Sequence, residues 1–168
     1  MRFGLIVGLI CYDSNNHIVW MVISMKYSIL PIGHIEKNGS EVSLVISKAY
    51  WDATTHLELF SHVIILWWID GRDNPLDRQT ILVTPSKKKG LEQSGVFACR
   101  SPARPNPIGL TVVKIEGIDP IDNRIIVDHM DANSGSPIID IKPYLPSSDR
   151  VENAKVPPWF NDLIPRYY

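Results

Sequence analysis

The sequence predicts a mainly β protein: a single antiparallel β-barrel with short helical segments and an irregular, proline-rich C-terminal tail. Three observations carry that prediction. Short apolar, β-branched runs recur along the chain after Met25, the pattern of strands. Helical periodicity is scarce. No long helical stretch separates the runs, so the crossovers that parallel strands need are missing, and an antiparallel barrel fits best.

Taken in order, Tyr27–His34 alternates and is broken by Pro31. Val42–Ser47 (VSLVIS) is apolar and β-branched. Tyr50–Phe60 reads as a short helix with Trp51, Leu57 and Phe60 roughly on one face. Val63–Ile69 (VIILWWI) is apolar at every position, which predicts a strand buried on two sides. Its Trp67 and Trp68 point to opposite faces: one is expected to fill the barrel, the other to meet a partner subunit or a base. Thr80–Thr84 stops at Pro85, and Val96–Cys99 is read as a further short strand. Leu110–Ile118 and Arg124–His129 are joined by Asp-Pro-Ile-Asp-Asn, turn chemistry that predicts a hairpin. Ile138–Ile141 adds one more strand. From Lys142 onward five prolines, at 143, 146, 157, 158 and 165, predict irregular chain with one turn of helix.

Composition narrows the function. The 168 residues, 45% of them hydrophobic and 21% charged, suit one globular domain. A formal net charge of -1 excludes a polybasic binder but not a local basic patch. Two cysteines are too few for a disulfide scaffold or a Cys₄ zinc site, and a reducing, cytoplasmic setting is expected. The longest apolar runs fall well short of the roughly 20 residues of a membrane-spanning helix, so no membrane partner is expected. Residues 1–24 stand apart. Arg2 and the apolar run Phe3–Ile10 resemble a secretory leader, but Leu9, Ile10 and Cys11 supply no small-residue cleavage site. This segment is read as an extension or a start-site artefact that packs poorly, with the domain proper at residues 25–168.

The densest signal is Gly95–Thr111, GVFACRSPARPNPIGLT. Prolines at 102, 105 and 107 exclude a helix and a central strand and bias Ser101, Arg104 and Asn106 toward extended backbone. Gly109 permits a close backbone approach. A stiff loop thus presents Arg100 and Arg104, whose planar forks suit a carboxylate or phosphate. Between Arg72 and Lys114, eight basic residues face three acidic ones, with Lys87, Lys88 and Lys89 among them, a local excess that predicts salt-sensitive nucleic-acid binding.

Three segments carry a family resemblance: GVFACRSPARPNPIGLTVVKIEGI, Phe60-Ser61-His62 followed by VIILWW, and SGSPIIDIKPY (134–144) followed by Leu-Pro. Together they resemble the signature of the TsaA-like, or TrmO, family over about Tyr27–Pro146. The resemblance implies a β-barrel tRNA methyltransferase that uses S-adenosylmethionine to methylate N6 of threonylcarbamoyladenosine at position 37, threonine tRNA being the expected substrate. It implies a homodimer with the cofactor near the subunit contact. The absence of any Gly-x-Gly-x-x-Gly run agrees with a non-Rossmann cofactor site. By motif position, Asp70, Gly71, Arg100, Leu110, Ser134, Gly135, Ser136 and Pro137 are the implied cofactor contacts. Asp70-Gly71 stands where bacterial members often have His-Gln, the family's Arg-Gln-Pro segment has no counterpart in residues 33–43, and Ser134 and Ser136 replace Asp and Thr. Arg100, Leu110 and Ser134–Pro137 are expected to share one hollow.

Methyl transfer from a sulfonium needs an in-line approach of about 3–3.5 Å and little acid–base help. The ureido nitrogen gains from loss of its proton, and Asp70, Asp131, His129 and Tyr144 are the candidate acceptors, with no catalytic residue assigned. Arg104, with a neighbouring lysine such as Lys88, is assigned to the substrate, where pairing with the threonyl carboxylate selects modified adenosine. Cys99 beside Arg100 has the setting of a reactive thiolate, but family members commonly carry Thr there. The five histidines show no metal-ligand spacing, and no metal is expected. Two other functions remain open at this stage: a non-enzymatic RNA- or small-molecule-binding barrel, and a methyltransferase acting on a small molecule.

Overall fold

The computed structural model describes residues 2–12, 18–84 and 93–160. Contacts divide the chain into two units, Met1–Pro31 and Ile32–Tyr168. In the first, β1 (Arg2–Tyr12) and β2 (Ile18–Ser28) form an antiparallel hairpin, with Arg2 opposite Ser28 and Tyr12 opposite Ile18.

The second unit holds the barrel. Its strands are β3 (Gly33–Asn38), β4 (Glu41–Ile46), β5 (His62–Trp68), β8 (Ile108–Asp119), β9 (Arg124–Val127) and β10 (Pro137–Pro143). Among the described residues these six close in the order β10-β3-β4-β9-β8-β5, and every pairing is antiparallel. A two-stranded arm, β6 (Leu82–Val83) with β7 (Ser94–Gly95), stands outside the barrel sheet. The mainly β, antiparallel barrel predicted from the sequence is the observed fold.

The pleat explains the core. Along β5, Val63, Ile65 and Trp67 point inward, and across the barrel they meet Ile35, Leu44, Val113, Ile125 and Ile138. Several of these are fully buried, and each such side chain contributes about 1.5–3 kcal/mol of transfer free energy. Gly109 is required here by its neighbour. It lies opposite Trp67 in the ladder, and a Cβ added at Gly109 would stand 2.2 Å from the indole Cε2. The indole occupies the space that any side chain would need.

Several local expectations are corrected. Val96–Ala98 is a 3-10 turn, not a strand. The ladder with β6 spans only two residues of β7. The ladder bonding runs one step further, Val96 N–H donating to Ile81 O, and the chain then turns, with the Val96 carbonyl accepting from the Arg104 side chain. Tyr50–Phe60 is not one helix but two 3-10 turns, Lys48–Thr54 and Leu57–Leu59, separated by His56 at φ 67°. Tyr27–His34 is split, with β2 ending at Ser28 and β3 starting at Gly33. Thr80–Thr84 contracts to Leu82–Val83. Strand β10 reaches Pro143, past Lys142 where irregular chain was expected to begin. The tail then has one helical turn, Pro146–Asp149, and one 3-10 turn, Pro158–Phe160. Among the described residues no helix is long and apolar enough to cross a membrane.

Candidate functional site

One end of the barrel gathers most of the residues singled out from the sequence. The ladder places Ile138 opposite Trp67, and Trp67 opposite Gly109. The chain entering β10 (Ser134–Pro137), the chain leaving β5 (Asp70, Gly71) and the start of β8 (Leu110) therefore meet at the same rim. Ser136, 1% exposed, donates from Oγ to Asp70 Oδ1 at 2.8 Å. That bond joins two candidate segments 66 positions apart. The remaining Asp70 oxygen takes no side-chain partner among the described residues, and the residue is exposed.

Local geometry fixes the 134–137 turn. Gly135 sits at φ 89°, in the left-handed region, with nothing within 4 Å of an added Cβ. Its N–H donates to Ile35 O at 2.7 Å, and Ser136 N–H donates to Asn133 O at 3.2 Å. Lys37 clamps the approach from β3: its backbone N–H donates to Ser134 Oγ at 3.1 Å and its Nζ to Met130 O at 2.7 Å. Below the rim, Trp67 Nε1 donates to Thr111 Oγ1 at 3.1 Å, and Thr111 Oγ1 donates to Asp131 Oδ2 at 3.4 Å. Asp131, itself exposed, is thus tied through Thr111 to the Trp67 indole. Tyr144 lies elsewhere: its N–H donates to His62 O at the opposite end of β5. His129 Nδ1 lies 2.9 Å from Asp128 Oδ1, in a pair on its own strand end.

The proline loop carries the other candidates. Arg100 is exposed and takes no partner among the described residues. It lines a hollow of about 320 Å³ with Val83, Thr84, Cys99, Ser101, Pro102 and Phe160. Leu110 and Ser134–Pro137 are not among the walls of that hollow. Leu110 sits on the outer face of β8, 44% exposed. Arg104 is half-buried, and its Nη2 donates to Val96 O at 3.1 Å, so part of its fork braces the loop. Lys88 lies outside the described residues, as do Lys87 and Lys89.

The basic stretch is less free than its count implies. Arg72 pairs with Asp77 at 3.4 Å, and Arg78 Nε donates to Asp73 Oδ1. Trp68 is also not available to a partner. It is 2% exposed, its Nε1 donates to Asp73 Oδ2 at 3.1 Å, and the Arg78 guanidinium lies 5.5 Å above its ring. The Arg78 hydrogen bond, aided by the one from Trp68, holds the Asp73 carboxyl below its ordinary value against the opposing effect of burial. Asp73, Arg78 and Lys37 were missed as site residues. Their only sequence signal is charge, and nothing in spacing distinguishes them from a solvated face.

A family model described as the tRNA-methyltransferase O N-terminal domain matches residues 25–150. The chain belongs to the TrmO N-terminal domain family. Its TrmO-family relatives include a "Probable S-adenosyl-L-methionine-binding protein" of Archaeoglobus fulgidus, 40% identical over 74% of this chain and 32% of that protein. Another is the "tRNA (adenine(37)-N6)-methyltransferase" of Escherichia coli, 34% identical over 73% of this chain and 52% of that enzyme. The crystal structure of TrmO from Pseudomonas aeruginosa matches with a TM-score of 0.61 at 28% identity, over 80% of this chain and 62% of that one. The chain thus spans from a third to under two thirds of the length of these relatives.

Proposed function

We propose that this chain is an S-adenosylmethionine-dependent methyltransferase whose substrate is N6 of threonylcarbamoyladenosine at position 37 of a tRNA. The observation that carries the reading is the Ser136–Asp70 hydrogen bond at the barrel rim, which unites two of the family's cofactor segments. S-adenosylmethionine, when bound, supplies a methyl group on a sulfonium centre. The residues present fit such a ligand. Gly71 and Gly135 leave open space where any other residue would place a Cβ. Asp70 keeps a carboxylate oxygen for a hydroxyl or amine donor. Leu110 offers an exposed apolar face. Arg100, without a partner among the described residues, offers its fork to a carboxylate.

We further propose that the working unit is a homodimer. In one copy the Arg100 hollow and the Ser134–Pro137 rim have separate walls, and a second copy that brings its own Arg100 to the rim completes the site. Arg104 and the lysines at 87–89 are assigned to tRNA, and binding through them weakens with salt. Asp70, beside Ser136, and Asp131, beside Thr111, are the proposed acceptors of the ureido proton. Residues 1–24 are proposed as an extension of a domain whose family match begins at residue 25, although β2 runs through that point and the contacts divide the chain after Pro31. A reducing, cytoplasmic setting suits the free thiol of Cys99.

Titration calorimetry with S-adenosylmethionine tests the cofactor, and absence of binding by the intact protein favours an RNA- or small-molecule-binding barrel. Mass spectrometry of tRNA nucleosides from a deletion strain tests the substrate. Loss of the methylated threonylcarbamoyladenosine is expected, and its persistence refutes the tRNA assignment. Mixing Arg100→Ala and Ser136→Ala chains tests the dimer: a shared site regains part of the binding that each variant alone has lost.

A further inference from the structure

We propose that Arg78 is a positioning residue for this site: it locks the proline loop that carries Arg100 and Arg104 to the turn that carries Asp70. The inference rests on the methyltransferase reading above and adds a residue outside the candidate cofactor set.

Three prolines limit how the loop can be held. Pro102, Pro105 and Pro107 have no N–H, so at those positions the loop can be anchored only through its carbonyls. Two of those carbonyls are taken by donors from the segment that leaves β5. Ile69 N–H donates to Pro107 O at 2.7 Å, and Arg78 Nη1 donates to Pro105 O at 3.2 Å. Asp70 follows Ile69 directly, and Arg78 ends the short helix Pro75–Arg78, whose start is capped by Asn74 Oδ1 accepting from Asp77 N–H at 3.0 Å. The loop and the Asp70 turn are therefore tied at two points on either side of the candidate carboxylate.

Arg78 is itself held. Its Nε donates to Asp73 Oδ1, its face covers Trp68, and its side chain is 26% exposed. Asp73, 16% exposed, shares its second oxygen with Trp68 Nε1. Because Trp68 belongs to β5, the guanidinium ties three parts together: the barrel wall, the Asp70 turn and the proline loop. Only a planar fork makes these contacts at once. A lysine ammonium keeps the ion pair but forfeits the carbonyl bond and the flat stacking face. Arg100 and Arg104 lie on the braced loop, so their placement relative to Asp70 depends on a residue that need touch neither cofactor nor tRNA. A misplacement of 1 Å costs about 10²-fold in rate when a reaction depends on alignment.

The test uses the full chain with Arg78→Ala, Arg78→Lys and Asp73→Asn. Three readouts are taken well below each variant's melting temperature: S-adenosylmethionine affinity by calorimetry, kcat against KM on modified tRNA, and hydrogen exchange at the Ile69 amide. Arg78→Ala is expected to weaken cofactor binding about tenfold, the order expected for loss of one charge-assisted anchor. It should lower kcat more than it raises KM and speed exchange at Ile69. Arg78→Lys should recover part of each effect. A variant that melts earlier yet binds within twofold of wild type, with Ile69 exchange unchanged, overturns the proposal and leaves the methyltransferase reading intact. If Arg78→Ala does not fold, the Lys and Asn variants decide by the same criteria. A wild-type protein that binds no S-adenosylmethionine overturns both.

Discussion

The barrel wall beneath Trp67 and the proline loop above it are neighbours held by opposite means. In the wall, β5 pairs residue by residue with β8 and, across one register shift between Ile138 and Asp140, with β10, and the inward side chains are sealed from water. Stability there comes from apolar area and close packing. The loop between Cys99 and Ile108 pairs with no strand. It is held by carbonyls accepting from Ile69, Arg78 and, through Val96, Arg104. A wall of the first kind tolerates no change of volume. A loop of the second kind is sensitive to loss of a donor or a charge and indifferent to small changes in bulk. That division suits a site in which the barrel supplies rigidity and the loop supplies charge.

The largest effects are expected in the wall. Ile65 is fully buried, and Ile65→Ala should cost about 2–5 kcal/mol, transfer and cavity terms together. Gly109→Ala is the converse test, since its new Cβ would meet the Trp67 ring at 2.2 Å. Overpacking of this kind costs about 1–3 kcal/mol, and Trp67 should report it by a shift in fluorescence. Denaturant unfolding measures both. A Gly109→Ala protein as stable as wild type would mean that the indole is not held as described.

Below these comes the bond that joins the two segments. Ser136→Ala removes the donor to Asp70 at a position 1% exposed, and a cost of about 1 kcal/mol is expected. Its effect on S-adenosylmethionine affinity should exceed its effect on stability, because Asp70 loses the group that orients it. Equal, small effects on both would reduce this contact to packing.

Asp73 separates the loop from the wall by pH. Its carboxyl is held below the ordinary value, first by the Arg78 hydrogen bond. A depressed carboxyl contributes stability above its unfolded pKa, near 3.8, and loses it as pH falls through the folded value. The stability difference between wild type and Asp73→Asn should therefore be flat at neutral and mildly acid pH and shrink only below the unfolded value. Ile69 exchange should follow it, whereas the stability lost in Ile65→Ala should not change with pH. A difference that already fades near pH 6 would place its origin in some other group.

The same contrast decides what the sequence made legible. The wall was readable because an inward-outward period survives without any knowledge of partners. VIILWWI announced the strand, although its outward Ile64 and Leu66 are half-buried and not sealed as a strand buried on two sides would be, and DPIDN announced the turn between β8 and β9, where Asp119 Oδ1 accepts from Ile121 N–H at 2.9 Å. The loop was readable as stiff and as resembling a family, but not in its attachments. Nothing in the order of residues says that Arg78 reaches Pro105, 27 positions away, or that Trp68 is covered by a guanidinium and not by a partner. Val96–Cys99 was misjudged for the same reason. Its apolar character suits a strand, but only Val96 keeps a ladder bond, to Ile81, before the chain turns over a carbonyl held by Arg104. Ser134–Pro137 and Asp70 were legible one by one through motif position, while the bond between them is a product of barrel closure.

The smallest effect on the fold is expected at Gly71, and it sharpens the comparison most. Gly71 follows Asp70 in the 3-10 turn Asp70–Arg72, its φ lies outside the left-handed region, and nothing stands within 4 Å of an added Cβ. Gly71→Ala should therefore change stability by no more than about 0.5 kcal/mol, in contrast to the same substitution at Gly109. The open space at Gly71 is also where a ligand would approach the backbone, and a methyl group placed there takes some of that space. Unchanged unfolding together with weaker S-adenosylmethionine binding, measured on one preparation, is the expected pair of results. Unchanged binding would move the ligand away from the Asp70 turn and toward the Arg100 hollow.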